Sequence, residues 1–409
     1  FRDRNSTMRF LFTCYASLPK DGIPDKSPNS FAGNDLWLYY YSNFPSYDLA
    51  NQNKNEPILN YWDGSRDNKN IYVYSLWEGI RNCNIFIDKI IEVPDIQDWE
   101  KKNWIAEAKF LKAYYHFYLL RLYGPIPIMD KSLPVTANTE DVRVKRESVE
   151  KVFDYIVKLL DEAALDLPEK VMNENEELGR LVKPVALAMK AKVLVYSASP
   201  FYNGNTDYAN FLNKDGAQMF EQAYSEKKWQ KAMNAAKEAI ELCHSLGYSL
   251  YEFERTPSTK DIDDRTVTKL SLRNAFTEKW NREIIWSQVN SGSYASGIQT
   301  NSVVPFLGEH VTSPAIPSVL VTYNMAELFY SKNGVPINED VEYEYNNRLQ
   351  VRTVSKEYKL DLEPKYQTAY FNFDREPRYY ATLGFDGGAW YGQGRFDDKQ
   401  PYYVHAKSK

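Results

Sequence analysis

The residues of this sequence with the most specific chemistry are aromatic rings set among amides, carboxylates and arginine. The stretch Asn34-Asp35-Leu36-Trp37-Leu38-Tyr39-Tyr40-Tyr41-Ser42-Asn43-Phe44 alternates rings with groups that form hydrogen bonds. Trp62 and Arg66 follow closely, and Tyr294, Phe306, Glu309 and His310 form a later cluster. A sugar ring has apolar C–H faces and a rim of hydroxyls. It stacks on Trp or Tyr while neighbouring Asn, Asp, Arg or Glu bind its rim. The candidate ligand contacts are therefore Asp35, Trp37, Tyr39, Tyr40, Tyr41, Asn43, Trp62, Arg66, Tyr294, Phe306, Glu309 and His310. The competing use of such rings is to fill gaps between a loop and its scaffold.

Catalytic patterns are missing. The sequence has no HExxH, no GxSxG, no phosphate-cradling glycine loop and no EF-hand loop. His116 falls inside a helical stretch among tyrosines and reads as a packed histidine. His244 is placed to complement a helix C-terminus, and His405 falls in a loop. Glycoside hydrolysis needs two carboxyl groups about 5–10 Å apart. The acidic neighbours Asp261, Asp263, Asp264, Glu339 and Asp340 read instead as solvated surface. No catalytic residue, metal site or cofactor is nominated, and the chain is expected not to be an enzyme.

The bulk properties narrow the class. The chain has 409 residues, 50 Lys+Arg against 55 Asp+Glu and a net charge of −5, which argues against phosphate-driven nucleic-acid binding. A hydrophobic share of 43% excludes global disorder. Cys14, Cys83 and Cys243 lack CxxC spacing, which excludes a zinc ribbon and a dense disulfide framework. The longest uncharged apolar run, Tyr114 to Leu120, is far short of the ~20 residues needed to span a bilayer. The apolar stretch within Met8 to Cys14 is too short for a signal h-region of ~7–15 residues.

Helical spacing is clear in five places. Leu76, Trp77, Ile80, Cys83, Ile87 and Ile90 form one stripe over 74–91. From Asp98 to Leu122 a longer helix carries Trp104, Leu111, Tyr115, Tyr118 and Leu119, with Asp98 placed as cap and Gly124-Pro125 as stop. Val149 to Ala163 is amphipathic, with Glu147 and Glu150 near its N-terminus. From Pro184 to Ser199 the sequence is apolar on most sides and rich in Ala, which suits a helix packed between two neighbours. The stretch Trp229 to Ser245 presents Trp229, Ala232, Ala236, Ala239, Ile240 and Cys243. Helices paired in this way predict tetratricopeptide-like stacking. Residues 19–70 and 252–350 read as ordered, tyrosine-rich loops laid over it, and Asp386-Gly387 as a hairpin turn between Tyr379–Leu383 and Trp390-Tyr391.

Several stretches together resemble the SusD/RagB family of cell-surface nutrient-binding lipoproteins, which partner TonB-dependent transporters in the Bacteroidetes. The likeness rests on LWEGIRNCNIFIDKI, on AEAKFLKAYY running into RLYGPIP, and on KPVALAMKAKVLVYSASP, NMAELFYSKNGVPI and NFDREPRYYATLGFDGGAW. It implies a mainly α, tetratricopeptide-like helical-repeat scaffold with long irregular loop-rich insertions and a small hairpin. A single domain is expected over 1–409, incomplete at both ends: an N-terminal loop region (1–71), helical repeats (72–250) and a loop-rich ligand-binding region (251–409). The family's glycan-binding members use an arc of aromatics that falls here on Asp35, Trp37 and Asn43 with the tyrosines between, and on Tyr294 and 306–310. The resemblance thus implies non-catalytic capture of an oligosaccharide at the outer membrane. Delivery would be to a SusC-like TonB-dependent barrel, with an N-terminal lipid anchor lying outside this sequence. Peptide capture, a helical-repeat glycan hydrolase and a purely structural scaffold are the alternatives.

Overall fold

The computed structural model describes residues 1–19, 36–38, 62, 65–66, 72–73, 75–134, 136–287, 319–391, 398–399 and 401–405, with the backbone alone at 36–38, 65–66, 72–73 and 319. The chain forms two compact units, one of residues 1–19, 59–249 and 285–289, the other of residues 20–58, 250–284 and 290–409.

The first unit is a succession of packed helices. Helix α1 (Arg4–Ala16) opens at a capping box in which Asp3 accepts from the Ser6 amide at 2.8 Å. It packs on α2 (Leu76–Ile90) and α3 (Asp98–Tyr123). The stretch from Met8 to Cys14, too short for a signal h-region, is part of this scaffold helix, with Leu11 and Cys14 buried. Leu76, Ile80, Cys83, Phe86 and Ile90 bury one face of α2. Helix α3 is buried almost all round, and its N-cap is Gln97 rather than Asp98. It stops where Gly124 adopts φ +72°, a left-handed backbone that suits glycine, and donates its amide to Leu120 O at 2.9 Å.

Helix α4 (Val149–Asp166) is capped by Ser148 and packs on α3. Helix α5 (Lys183–Ala198) lies between α4 and α6 (Glu226–Ser245), as its all-round apolar composition requires. In α6 the buried seam is Ala232, Ala235, Ala239 and Cys243. Trp229 and Ile240, read from the sequence as part of that seam, are 41% and 52% exposed. Small side chains let the helix backbones approach closely, and that turns the two large residues outward.

Charged groups tie these helices where apolar contact alone would slide. Glu107 of α3, 1% exposed, accepts from Arg180 at 2.5 Å and from the Tyr15 hydroxyl of α1 at 2.5 Å. The Leu181 amide donates to the same Tyr15 oxygen at 3.2 Å. A buried carboxylate is tolerable only with partners of this kind.

The second unit contains α7 (Asp264–Thr277), inside the stretch read as loops. Its buried residues are Thr266, Lys269 and Leu270, so it has no apolar stripe for a periodicity to show. It is held by polar contacts instead: Arg265 donates to Asp361 Oδ2 at 2.5 Å and Lys269 to Asp361 Oδ1 at 2.9 Å. Strand 36–38 pairs antiparallel with 319–321, with Trp37 opposite Leu320. The small hairpin is present but shifted. Tyr379–Leu383, expected as its first strand, lies in or directly after a helix over Pro377–Thr382, and Ala389–Trp390 pairs with Tyr402–Tyr403. Pro377 in the first turn presets the helical φ, and Tyr379 and Tyr380 are buried from it.

Arg375 is 0% exposed and has no carboxylate partner among the described residues. Its guanidinium donates to Phe371 O at 2.9 Å and to Ala326 O and Phe329 O at 2.7 Å each, and lies over the rings of Phe371 and Tyr379. The sequence stretches NMAELFYSKNGVPI and NFDREPRYY are thereby locked together by one side chain. Arg375→Ala is expected to destabilise the unit by about 3–5 kcal/mol, because three buried carbonyls lose their donors. Arg375→Lys should recover less than half of this, since one ammonium cannot span the fork. Urea unfolding of the three proteins measures both.

Candidate functional site

A cleft of about 410 Å³ opens in the first unit beside α2. Trp77, Ile80, Arg81 and Asn84 contribute from α2, spaced so that they share one helix face. Trp62 is half-buried at the edge of the cleft, and its carbonyl accepts from Ser75 Oγ at 2.6 Å. The Trp62 ring meets Trp77 edge-on at 5.1 Å and Tyr123 edge-on at 5.3 Å. The opposite wall is the extended segment after α3, with Pro127, Met129 and Leu133, joined by Val142 and Val144. Lys131 and Ser132 are its polar members.

That wall has no regular secondary structure of its own, so side chains hold it. Asn84 donates to Met129 O at 3.1 Å. The Met129 amide donates to His116 Nε2 at 3.3 Å, and His116 Nδ1 lies 2.8 Å from Lys112 O. A carbonyl can only accept and an amide N–H can only donate. The imidazole is therefore neutral, with its proton on Nδ1. Burial agrees, pushing the His116 pKa down to about 4. Lys112, with 4% of its side chain exposed, donates to Asp130 O at 2.5 Å and reaches Asp130 Oδ1 at 3.3 Å. The Tyr155 hydroxyl takes the same carboxylate at 2.8 Å. Burial pushes Asp130 up, but the Tyr155 and Lys112 contacts outweigh it and leave the carboxyl below its ordinary range.

Of the residues proposed from the sequence, Trp62 is the one whose side chain the structure describes, and it lines the cleft. Trp37 and Arg66 are described by their backbones, in strands paired with 319–321 and 72–73. Asp35, Tyr39, Tyr40, Tyr41, Asn43, Tyr294, Phe306, Glu309 and His310 lie outside the described residues. The sequence reading missed Arg81, Asn84, Lys131 and Ser132. Arg81 and Asn84 follow Trp77 and Ile80 on the same helical face, and that mixed face was the available signal. His116 is packed, as its position implied, and His405 pairs with Glu363 at 2.5 Å. Asp263 caps α7 and Asp340 accepts from Ser331 and Asn333, so both have structural partners. Among the described residues no group of three or more His, Cys, Asp or Glu is arranged to hold a metal ion.

Two family models match the chain. One, described as starch-binding and associating with the outer membrane, covers residues 34–195, and one for the SusD family covers residues 282–408. The chain belongs to the SusD/RagB family. The structure is similar to that of the protein BT4246, with a TM-score of 0.76 and 25% identity over 99% of this chain and 68% of that one. It also resembles the SusD-like protein BF3747 of Bacteroides fragilis NCTC 9343, with a TM-score of 0.62 and 20% identity over 98% and 64% of the respective chains. The SusD-like carbohydrate-binding protein BF0978 of the same strain matches with a TM-score of 0.50 and 18% identity, over 94% and 60%. The chain thus spans about two thirds of the length of these relatives or slightly less. No curated protein sequence matches it. Its mainly helical, tetratricopeptide-like scaffold is the SusD-like fold.

The neutral His116 gives the SusD-like scaffold a pH dependence. The unfolded chain protonates this histidine near 6.5, the folded chain near 4. Between those values the unfolded state binds the extra proton. The contribution is complete above pH 6.5 and lost as pH falls to 4, about 3 kcal/mol in total. Equilibrium unfolding at pH 7 and pH 4 should show a larger loss for the wild type than for His116→Gln, which has no proton to take up.

Proposed function

We propose that this chain is a non-catalytic glycan-capture protein of the cell surface, which takes up an oligosaccharide and passes it to a SusC-like TonB-dependent barrel in the outer membrane. The observation that carries the reading is the aromatic cleft of Trp62 and Trp77, walled by a segment fixed through His116, in a chain matched by a starch-binding, outer-membrane family model. Rings held edge-to-face cannot collapse onto each other, so their faces and edges stay ready for the C–H surface of a sugar. Asn84 and Ser132 supply polar atoms beside them. Asp35, Trp37, Tyr39, Tyr40, Tyr41, Asn43, Arg66, Tyr294, Phe306, Glu309 and His310 are proposed as further ligand contacts, on the chemistry of their side chains. No helix among the described residues is long and apolar enough to cross a membrane. Attachment to the outer membrane is proposed to run through an N-terminal lipid, as the family resemblance implies.

Titrating a panel of oligosaccharides and a mixture of peptides against the protein tests this reading. Saturable binding of a glycan, with no reducing ends released, is the expected result. Peptide binding alone, or release of reducing ends, would overturn it. Trp62→Ala and Trp37→Ala should each weaken glycan retention by about tenfold or more while thermal unfolding stays unchanged.

A further inference from the structure

The polar members of the cleft carry more information than its rings. Arg81 and Lys131 both line it, and among the described residues no acidic side chain does. Neither cation has an ion pair or hydrogen bond to any described residue. The nearest carboxylate in sequence to Lys131, Asp130, is already taken by Lys112 and Tyr155. Ser132 also lines the cleft, and its Oγ is buried without a hydrogen-bond partner among the described residues. In a chain of net charge −5, two unpaired cations and an unused hydroxyl around one apolar cleft form a local reversal of sign.

We infer that the cleft takes an acidic sugar: a hexuronate unit whose carboxylate is bound by Arg81 and Lys131 while its ring packs against Trp62 and Trp77. A guanidinium presents a planar fork that matches a carboxylate with two parallel hydrogen bonds, and the ammonium adds a point charge. The Ser132 hydroxyl supplies one further donor to the anion. A volume of about 410 Å³ is at the small end of the ~300–1,000 Å³ usual for ligand sites, so it suits one or two sugar rings. This inference rests on the glycan-capture reading and names the class of sugar.

Calorimetric titration of the whole chain with digalacturonate, with its fully methyl-esterified form and with a sulfated neutral disaccharide tests it. Digalacturonate is expected to bind about tenfold more tightly than the ester, and the preference should shrink as salt is raised. Arg81→Gln should bring the acid down to the affinity of the ester, and Lys131→Gln should do so in part, with unfolding midpoints unchanged. Equal affinity for acid and ester, or an acid preference that survives Arg81→Gln, overturns the inference and leaves neutral glycan capture standing. Tighter binding of the sulfated sugar than of digalacturonate overturns the carboxylate assignment. Binding of no sugar at all, while peptides bind, overturns both the inference and the reading beneath it.

Discussion

The first unit depends on an imidazole that has to stay uncharged. His116 sits inside α3 with one ring nitrogen giving its proton to a carbonyl of its own helix and the other taking the amide of Met129. Only the neutral ring can do both. The extended wall from Pro127 onward makes few backbone hydrogen bonds of its own, so its position is set by this contact and by Asn84, Lys112 and Tyr155 around it. The cleft therefore inherits the rigidity of α2 and α3. Its shape belongs to the helical scaffold even though most of its lining comes from irregular chain.

The second unit solves a similar problem with a permanent charge. Arg375 is buried with no anion beside it among the described residues, and carbonyl oxygens take the place of a carboxylate. Such an arrangement satisfies the fork and closes backbone that strands and helices leave unpaired. Asp361, 4% exposed and gripped by Arg265 and Lys269, does the converse for α7. In both units, irregular stretches are kept in place by buried polar groups whose partners come from distant sequence, and this is how so loop-rich a chain keeps definite positions.

These mechanisms explain which parts could be read in advance. Helices α2 and α4 follow apolar periodicity because each buries one apolar face, α3 and α5 are legible from apolar composition because neighbours cover them on several sides, and Gly124 marks the end of α3 because its φ of +72° suits glycine. Helix α7 was invisible because polar residues fill its buried face, and no hydrophobic period records an ion pair to Asp361. Trp229 and Ile240 have the helical spacing of the α6 seam but face outward, since the apolar residues buried there are three alanines and Cys243. One of the five stretches that carry the family resemblance contains Arg375, and the reason for that residue, a guanidinium filled by carbonyls, is a matter of tertiary contact. Within the cleft, aromatic Trp62 could be nominated from composition. Helical spacing could place Arg81 on the face of Trp77 but not tell whether it is paired, and Lys131 had no such signal, because an unpaired surface cation and a paired one look alike until their neighbours are known.

Glycan capture by this protein requires the cleft between α2 and the Met129 wall to be a ready-made seat for a sugar ring. A crystal structure of the protein with a tightly binding oligosaccharide tests that most directly. The account predicts sugar density packed against Trp62 and Trp77, with residues 127–132 unmoved and the Met129 amide still on His116. Density for the sugar elsewhere with this cleft empty, or a cleft closed by rearrangement of 127–132, would contradict it.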